Sequence, residues 1–280
     1  MKKLIRYMRC WIRFRIFYYL KIFRPANFKI NGDLKFDVFS FIDLSHDAEI
    51  TIENNVRLIK SRFYVHSSNC KIESESKIID SIVYIENSHI HLGKSTQLNN
   101  IQFSLYNQSE FKCGNHVLLD GSKHSRAGFY AYDSKISWGN NVNHYAHSQC
   151  NQGSWIAGDN IFINWGTQVR CDCSISMGSN ILISYDCIIF DTNTHSLDFL
   201  DRRKEIQQGY PNTSKQFPED KMRVKKKPIL MGDDVWIGTR SFIFKGSELG
   251  NGVIVGAGSV VSGLIAKDGS KVVGNPAQIK

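Results

Sequence analysis

Proline is scarce in this chain, five in 280 residues, and with only 21 glycines that excludes collagen-like and proline-rich classes. Acidic residues are missing altogether from residues 1–24, which hold eight basic ones. The same segment lacks a long apolar run. Its longest uncharged stretch is the five residues Ile16–Leu20, against about 20 needed to cross a bilayer. It also lacks the apolar core and small-residue cleavage site of a signal peptide. A cysteine framework is missing too. The seven cysteines, at 10, 70, 113, 150, 171, 173 and 187, are odd in number and irregularly spaced, so a reduced, cytoplasmic chain is expected. What is present is ample apolar material, 42% of residues, which excludes a wholly disordered chain.

The charge is unevenly placed. Of the net +9, residues 1–24 carry +8 and residues 202–227 carry +6, which leaves −5 on everything else. Charge confined to two short segments argues against a nucleic-acid-binding face. At about 100° per residue, all the basic residues of 1–24 except Arg15 fall on one third of a helical wheel. The rest of the wheel is Trp, Tyr, Phe, Ile, Leu and Met. This pattern fits a basic amphipathic helix over residues 1–27. Such a helix either lies on a membrane surface as a peripheral contact or caps one end of the body.

From residue 50 onward the chain repeats itself. The unit is an apolar residue, Gly or an acid, two polar residues, and a small or β-branched residue. Examples are Ile52-Glu53-Asn54-Asn55-Val56, Leu92-Gly93-Lys94-Ser95-Thr96, Met177-Gly178-Ser179-Asn180-Ile181 and Met231-Gly232-Asp233-Asp234-Val235. Across nine copies the second residues are 20, 20, 21, 25, 19, 20, 54 and 18 apart. In the C-terminal part the period is six: Met231, Ile237, Ile243, Leu249, Val255 and Val261 recur, with Val235, Ser241, Ser247, Val253 and Ser259 four residues after each. This spacing predicts an all-β solenoid, a triangular prism of short parallel strands occupying residues 28–280, in about ten coils. The aliphatic residue points into a narrow core, a small one fits beside it, and Gly or a polar residue turns the corner. The gap of 54 is one coil plus 36 residues, so a polar, basic loop should project at about 196–228.

These repeats resemble the hexapeptide-repeat acyltransferases, whose fold is a left-handed parallel β-helix. The stretch Asp191-Thr192-Asn193-Thr194-His195-Ser196-Leu197-Asp198 is similar to the T-x-x-H-P-L-D motif of the maltose and galactoside acetyltransferase branch and its polysaccharide-modifying relatives, with Ser in place of Pro. The resemblance implies transfer of an acetyl group from acetyl-CoA to a hydroxyl of a sugar or glycan; the long loop and the basic N-terminal segment argue for a cell-surface polysaccharide or its lipid-linked precursor as the acceptor. It implies His195 as general base. A sugar hydroxyl is a weak nucleophile at neutral pH, and an imidazole with a pKa near 6.5 can take its proton as it attacks. Asn164, in Ile163-Asn164-Trp165 and 31 residues before His195, occupies the place of the family's active-site Asn. It either binds acceptor or caps a turn. Asp191 either orients His195 or is an exposed loop acid.

The resemblance extends to coenzyme contacts. Val235-Trp236-Ile237-Gly238 matches the family's V-W-I-G element, and Trp236 should point outward because its neighbours point in. Gly256-Ala257-Gly258-Ser259 and Gly274-Asn275-Pro276-Ala277 match elements over which the family lays coenzyme A. Lys267, Lys280 and Lys225–Lys227 are partners for its phosphates by charge matching. The resemblance also implies a homotrimer with active sites between subunits. No metal is expected. His144, on an inward site, and His147 lack the ligand spacing of the zinc-dependent hydratases that share this fold, and Cys173, taken as inward, is read with Cys171 as core packing. A non-catalytic scaffold that binds glycan or protein is the reading of a different class.

Overall fold

The computed structural model describes residues 28–30, 34–36, 41–44, 50–59, 62–66, 70–79, 82–86, 89–99, 101–105, 110–120, 127–132, 135–208 and 224–280. The basic helical segment expected over 1–27 lies outside these residues.

The described chain winds through three sheets in strict rotation. The first, second and third sheets hold 11, 12 and 10 strands, and strands paired within a sheet are three places apart in the chain except in the final pair. Every pairing is parallel except the last, where Lys271–Gly274 turns back antiparallel on Ala277–Ile279. The fold is therefore a parallel β-solenoid with three faces and three edges. Hereafter the first edge joins the first and second faces, the second edge joins the second and third, and the third edge leads back to the first.

The six-residue pattern maps onto this prism as expected. Ile183, Ile237 and Val255 stack in register along the second face and are buried. The small residues after each second edge, Thr167, Cys187, Ser241 and Ser259, are fully buried as well. They are small because the core is narrow and polar because the edge carbonyls need donors. Thr167 Oγ1 donates to the Ser184 carbonyl at 3.0 Å, Cys187 Sγ to that of Gly238 at 3.3 Å, and Ser241 Oγ to that of Gly256 at 3.0 Å.

The first edge explains its glycines and amides together. A Cβ on Gly178 would stand 2.7 Å from the carbonyl carbon of Gly232 in the next coil, so only Gly permits that approach. The next residue hands a backbone N–H to the side chain above. Lys94 donates to Asn115, Asn115 to Asn140, Asn140 to Asp159, Asp159 to Ser179, Ser179 to Asp233, Asp233 to Asn251, and Asn251 to Asp268, at 2.6–3.1 Å. The following residue turns the corner with positive φ, as at Asn160, Asn180 and Asp234.

His144 is buried in the core. Its Nε2 lies 2.7 Å from Ser148 Oγ, and its ring stacks on Trp138 at 5.2 Å. Burial drives its pKa down to about 3, so it is a neutral core residue at physiological pH. Of the two cysteines, only Cys171 is inward; its hydrogen bond to Cys150 and its burial raise its pKa. Cys173 is a correction: it is half-buried on the third edge, between strands Gln168–Cys171 and Ser174–Met177. The longer corner there shifts the six-residue count.

The projecting loop is also revised. It is not loop throughout, because helix α1 (Phe199–Gln208) opens it. Asp198 caps the helix by accepting the Leu200 N–H at 2.8 Å. The loop returns through Val224–Pro228 beside its own start: Asn193 donates its N–H to the Lys225 carbonyl at 3.1 Å, and Lys227 to the Asp191 carbonyl at 3.0 Å. Among the described residues no helix is long and apolar enough to cross a membrane.

Candidate functional site

The second edge stacks three rows of residues. The ladder bonds place Asn164, Ser184, Gly238 and Gly256 in the first row, and Trp165, Tyr185, Thr239 and Ala257 in the second. Gly166, Asp186, Arg240 and Gly258 form the third, all with positive φ. The edge changes character along its length. In the lower coils it carries aromatic rings, with Trp165 44% and Tyr185 48% exposed. In the upper coils it is bare: Ala257 and Gly258 are exposed, and a Cβ on Gly258 would meet nothing within 4 Å. Trp236 points outward beside this step, 48% exposed, and its Nε1 donates to Ser184 Oγ at 3.3 Å.

The remaining second-edge residues have distinct parts. Gly238 is buried, and a Cβ there would stand 2.6 Å from the Ala257 nitrogen, so the coils close at this point only with glycine. Gly256 is half-buried under Val273. Ser259 does not present its side chain to a ligand. It is fully buried, donates to the Gly256 carbonyl at 2.6 Å and accepts the Gly274 N–H at 3.2 Å. Asn275 and Pro276 are exposed in the final turn, just after Gly274, which continues the parallel register above Ala257. Lys267 and Lys280 are exposed at the other end of the second face, where Lys280 donates its N–H to the Lys271 carbonyl.

Asn164 is nearly buried, and its Oδ1 accepts the N–H of Trp165 at 3.1 Å. Its oxygen serves the turn, as the capping reading expects.

The third edge carries the other half of the expected set. His195 is exposed, at the root of the loop. Hydrogen bonds fix the residue after it from both sides. Ser196 is buried; its Oγ accepts the Asp198 N–H at 3.1 Å and donates to Asp201 Oδ2 at 3.1 Å, while Arg202 donates to its carbonyl at 2.8 Å. The Ser that replaces Pro therefore has a structural use, since Pro has no hydroxyl to bridge the helix start. Asp191 is fully buried, which excludes the exposed-acid reading. Its two carboxylate oxygens accept the backbone N–H groups of Asp172 and Cys173, each at 2.7 Å. Burial pushes its carboxyl up against the pull of those N–H groups. Its carboxylate acts on the coil below, and its carbonyl holds the returning strap. Lys225 and Lys227 are exposed on that strap, and Lys245 donates to the Asn193 side chain.

Apart from Lys267 and Lys280 at the first edge, the expected residues divide between two edges. Asn164, Trp236, Gly238, Gly256, Ala257, Gly258, Asn275 and Pro276 belong to the second, and Asp191, His195 and the strap lysines to the third. The third face separates them. Five residues from Asp186 to Asp191 at about 3.3 Å each put the edges on the order of 16 Å apart. Sequence reasoning missed Ser184, Tyr185 and Tyr145, because none belongs to a motif and only coil stacking brings them to the edge.

No family model matches the chain. It is 31% identical over 121 residues to a candidate lipopolysaccharide biosynthesis O-acetyl transferase of Escherichia coli (strain K12), a match covering 43% of this chain and 57% of that one. Among solved structures it is similar to a hexapeptide-repeat-containing acetyltransferase from Vibrio cholerae O1 biovar eltor, complexed with acetyl coenzyme A, at 28% identity, a TM-score of 0.36, and 45% and 58% coverage. A polySia-specific acetyltransferase aligns over 91% of this chain and 87% of that one, at 15% identity and a TM-score of 0.43. The chain spans about half the length of the curated relatives it matches. Its similarity is to acetyltransferases, O-acetyltransferases among them.

Proposed function

We propose that this protein is a CoA-dependent O-acetyltransferase acting on a hydroxyl of a sugar or glycan. The observation that carries the reading is the pairing of an exposed imidazole on a fixed root, His195, with a bare shelf at Ala257–Gly258 on the same solenoid. The relative named as a lipopolysaccharide O-acetyl transferase supports both the reaction and a polysaccharide acceptor.

Acetyl-CoA as donor supplies an activated thioester carbonyl. Small residues at Gly256, Ala257 and Gly258 leave the backbone open to a slender pantetheine arm, and Trp236 walls one side. Lys225–Lys227, Lys267 and Lys280 are exposed or partly exposed cations suited to its phosphates. His195 takes the acceptor proton as the hydroxyl attacks.

Because His195 and the shelf lie on different edges, one chain does not complete this site. A homotrimer with its axis parallel to the solenoid would lay the third edge of one subunit beside the second edge of the next, at unchanged height. The exposed stripe Leu182–Trp236 on the second face supplies apolar surface for such packing. The basic, aromatic residues 1–24 would hold the enzyme on the inner face of the membrane, where lipid-linked glycans are made. Equal flotation with liposomes after deleting 1–24 would remove that last element.

The test of the function is thiol release from acetyl-CoA with sugar and glycan acceptors. His195→Ala should lower the rate by about a hundredfold or more. An unchanged rate would remove His195 as the base.

A further inference from the structure

We infer that the lower coils of the second edge form an extended glycan-binding stair, so that the acceptor is a chain of at least three sugar rings lying along the solenoid axis. This rests on the proposed sugar acceptor and adds to it the length, path and polarity of that acceptor.

Tyr145, Trp165 and Tyr185 stand on three successive coils. The ring centroids are 4.6 Å apart from Tyr145 to Trp165 and 6.3 Å from Trp165 to Tyr185. Phe162 flanks the bottom step, 5.6 Å from Tyr145. A solenoid edge gains nothing in its core from these rings, since they point outward and Trp165 and Tyr185 leave nearly half their surface in water. A line of partly exposed aromatic rings offers apolar surface to the C–H faces of sugar rings, as aromatic platforms do to bases in single-strand-binding proteins. The steps repeat once per coil, about 4.8 Å, close to the length a sugar ring adds to an extended chain.

Polar groups accompany the stair. Asp186 and Arg240 are exposed beside Tyr185, 3.8 Å apart as a loose ion pair. The half-buried Ser184 hydroxyl lies at the foot of Tyr185 in the adjacent row. Together they offer donors and acceptors for hydroxyls around an apolar track.

One coil, carrying Thr239 and Arg240, separates the top of the stair from the bare shelf. Its top step, Tyr185, lies in the same coil as Asp191 and the root of His195. The order along the edge is therefore acceptor chain below, base at the level of Tyr185, and donor shelf above. A glycan on the stair would present its terminal ring, or one ring along a longer chain, to the junction.

The test uses the full chain, a glycan array of mono- to hexasaccharides, and thiol release from acetyl-CoA with the same sugars. The expected result is that bound sugars have three or more rings, and that Tyr145→Ala and Trp165→Ala each weaken their binding by about tenfold. Trp165→Phe should retain it. The stair is overturned if affinity does not grow with length, if the alanine variants bind as wild type, if no glycan binds, or if the variants change only the assembled mass by light scattering. The two readings fail separately. Turnover of monosaccharides without length dependence sinks the stair alone, and length-dependent binding without thiol release sinks the transferase alone.

Discussion

The hydroxyl of Ser196 lies 3.1 Å from a carboxylate oxygen of Asp201, bridging the residue after His195 to the first turn of α1. The Ser196 hydroxyl oxygen also accepts the Asp198 N–H, so one hydroxyl ties the root of the loop to the helix start. Ser196→Ala should cost about 1 kcal/mol locally. Amide exchange across 199–208 should speed up while the melting temperature of the prism stays put. If the root positions His195, thiol release should fall through kcat rather than KM, and Ser196→Thr should rescue it. Unchanged exchange over the helix would show that the bridge does not hold it.

His144 makes the fold acid-sensitive. Burial lowers its pKa from 6.5 to about 3 in the folded chain, while the unfolded chain keeps the ordinary value. Below 6.5 the unfolded state takes up a proton that the folded state refuses. Stability is therefore intact above about pH 6.5 and is lost as pH falls, by up to about 1.4 kcal/mol per unit until the folded pKa is reached. His144→Gln can keep a bond to Ser148 without titrating. Urea unfolding of both proteins from about pH 6.5 down to about 4 should show a shallower loss in the variant. Parallel curves would mean that His144 is not the group responsible.

Glycines at different places in the repeat should respond differently to substitution. Gly178 faces the next coil, where a Cβ would come within 2.4 Å of the Asp233 carboxylate that accepts the Ser179 N–H. Gly178→Ala should therefore cost about 1–3 kcal/mol by overpacking. Gly258 has open space but a φ of +71°, so Gly258→Ala meets only backbone strain of about 1–2 kcal/mol. Asn tolerates that region, so Gly258→Asn should recover most of the loss and Gly178→Asn none. Thermal melts of the four variants decide it.

The prism was legible in the sequence because its physics is local. A six-residue side needs an inward aliphatic residue such as Ile237 and a small one such as Ser241, and the spacing shows both. The outward position of Trp236 followed from its neighbours. What the repeat does not encode was misread or missed. Cys173 shifted face because a corner changed length, and α1 sits in an insertion with no period to betray it. The buried state of Asp191 depends on two N–H groups of Asp172 and Cys173, a coil below, which no motif announces. The second-edge aromatics Tyr145, Trp165 and Tyr185 belong to three unrelated local sequences and meet only when the coils are stacked.

The division of the site between two edges gives a prediction about assembly. His195→Ala damages only the third edge of a subunit. Ala257→Trp should fill only the bare shelf on the second edge, because Ala257 is exposed and its side chain points away from the core. Each variant alone should lack activity. If each site is built from the third edge of one copy and the second edge of another, subunits of the two variants that unfold and reassemble together will form some clefts with both halves intact. Co-refolded mixtures should then regain a measurable fraction of wild-type thiol release, while each variant refolded alone stays inactive. If a single chain supplied both halves, every site would keep one defect and mixing would restore nothing. Light scattering on the same samples checks that the variants still assemble, so that a failure to complement counts against the shared site and not against the mixing.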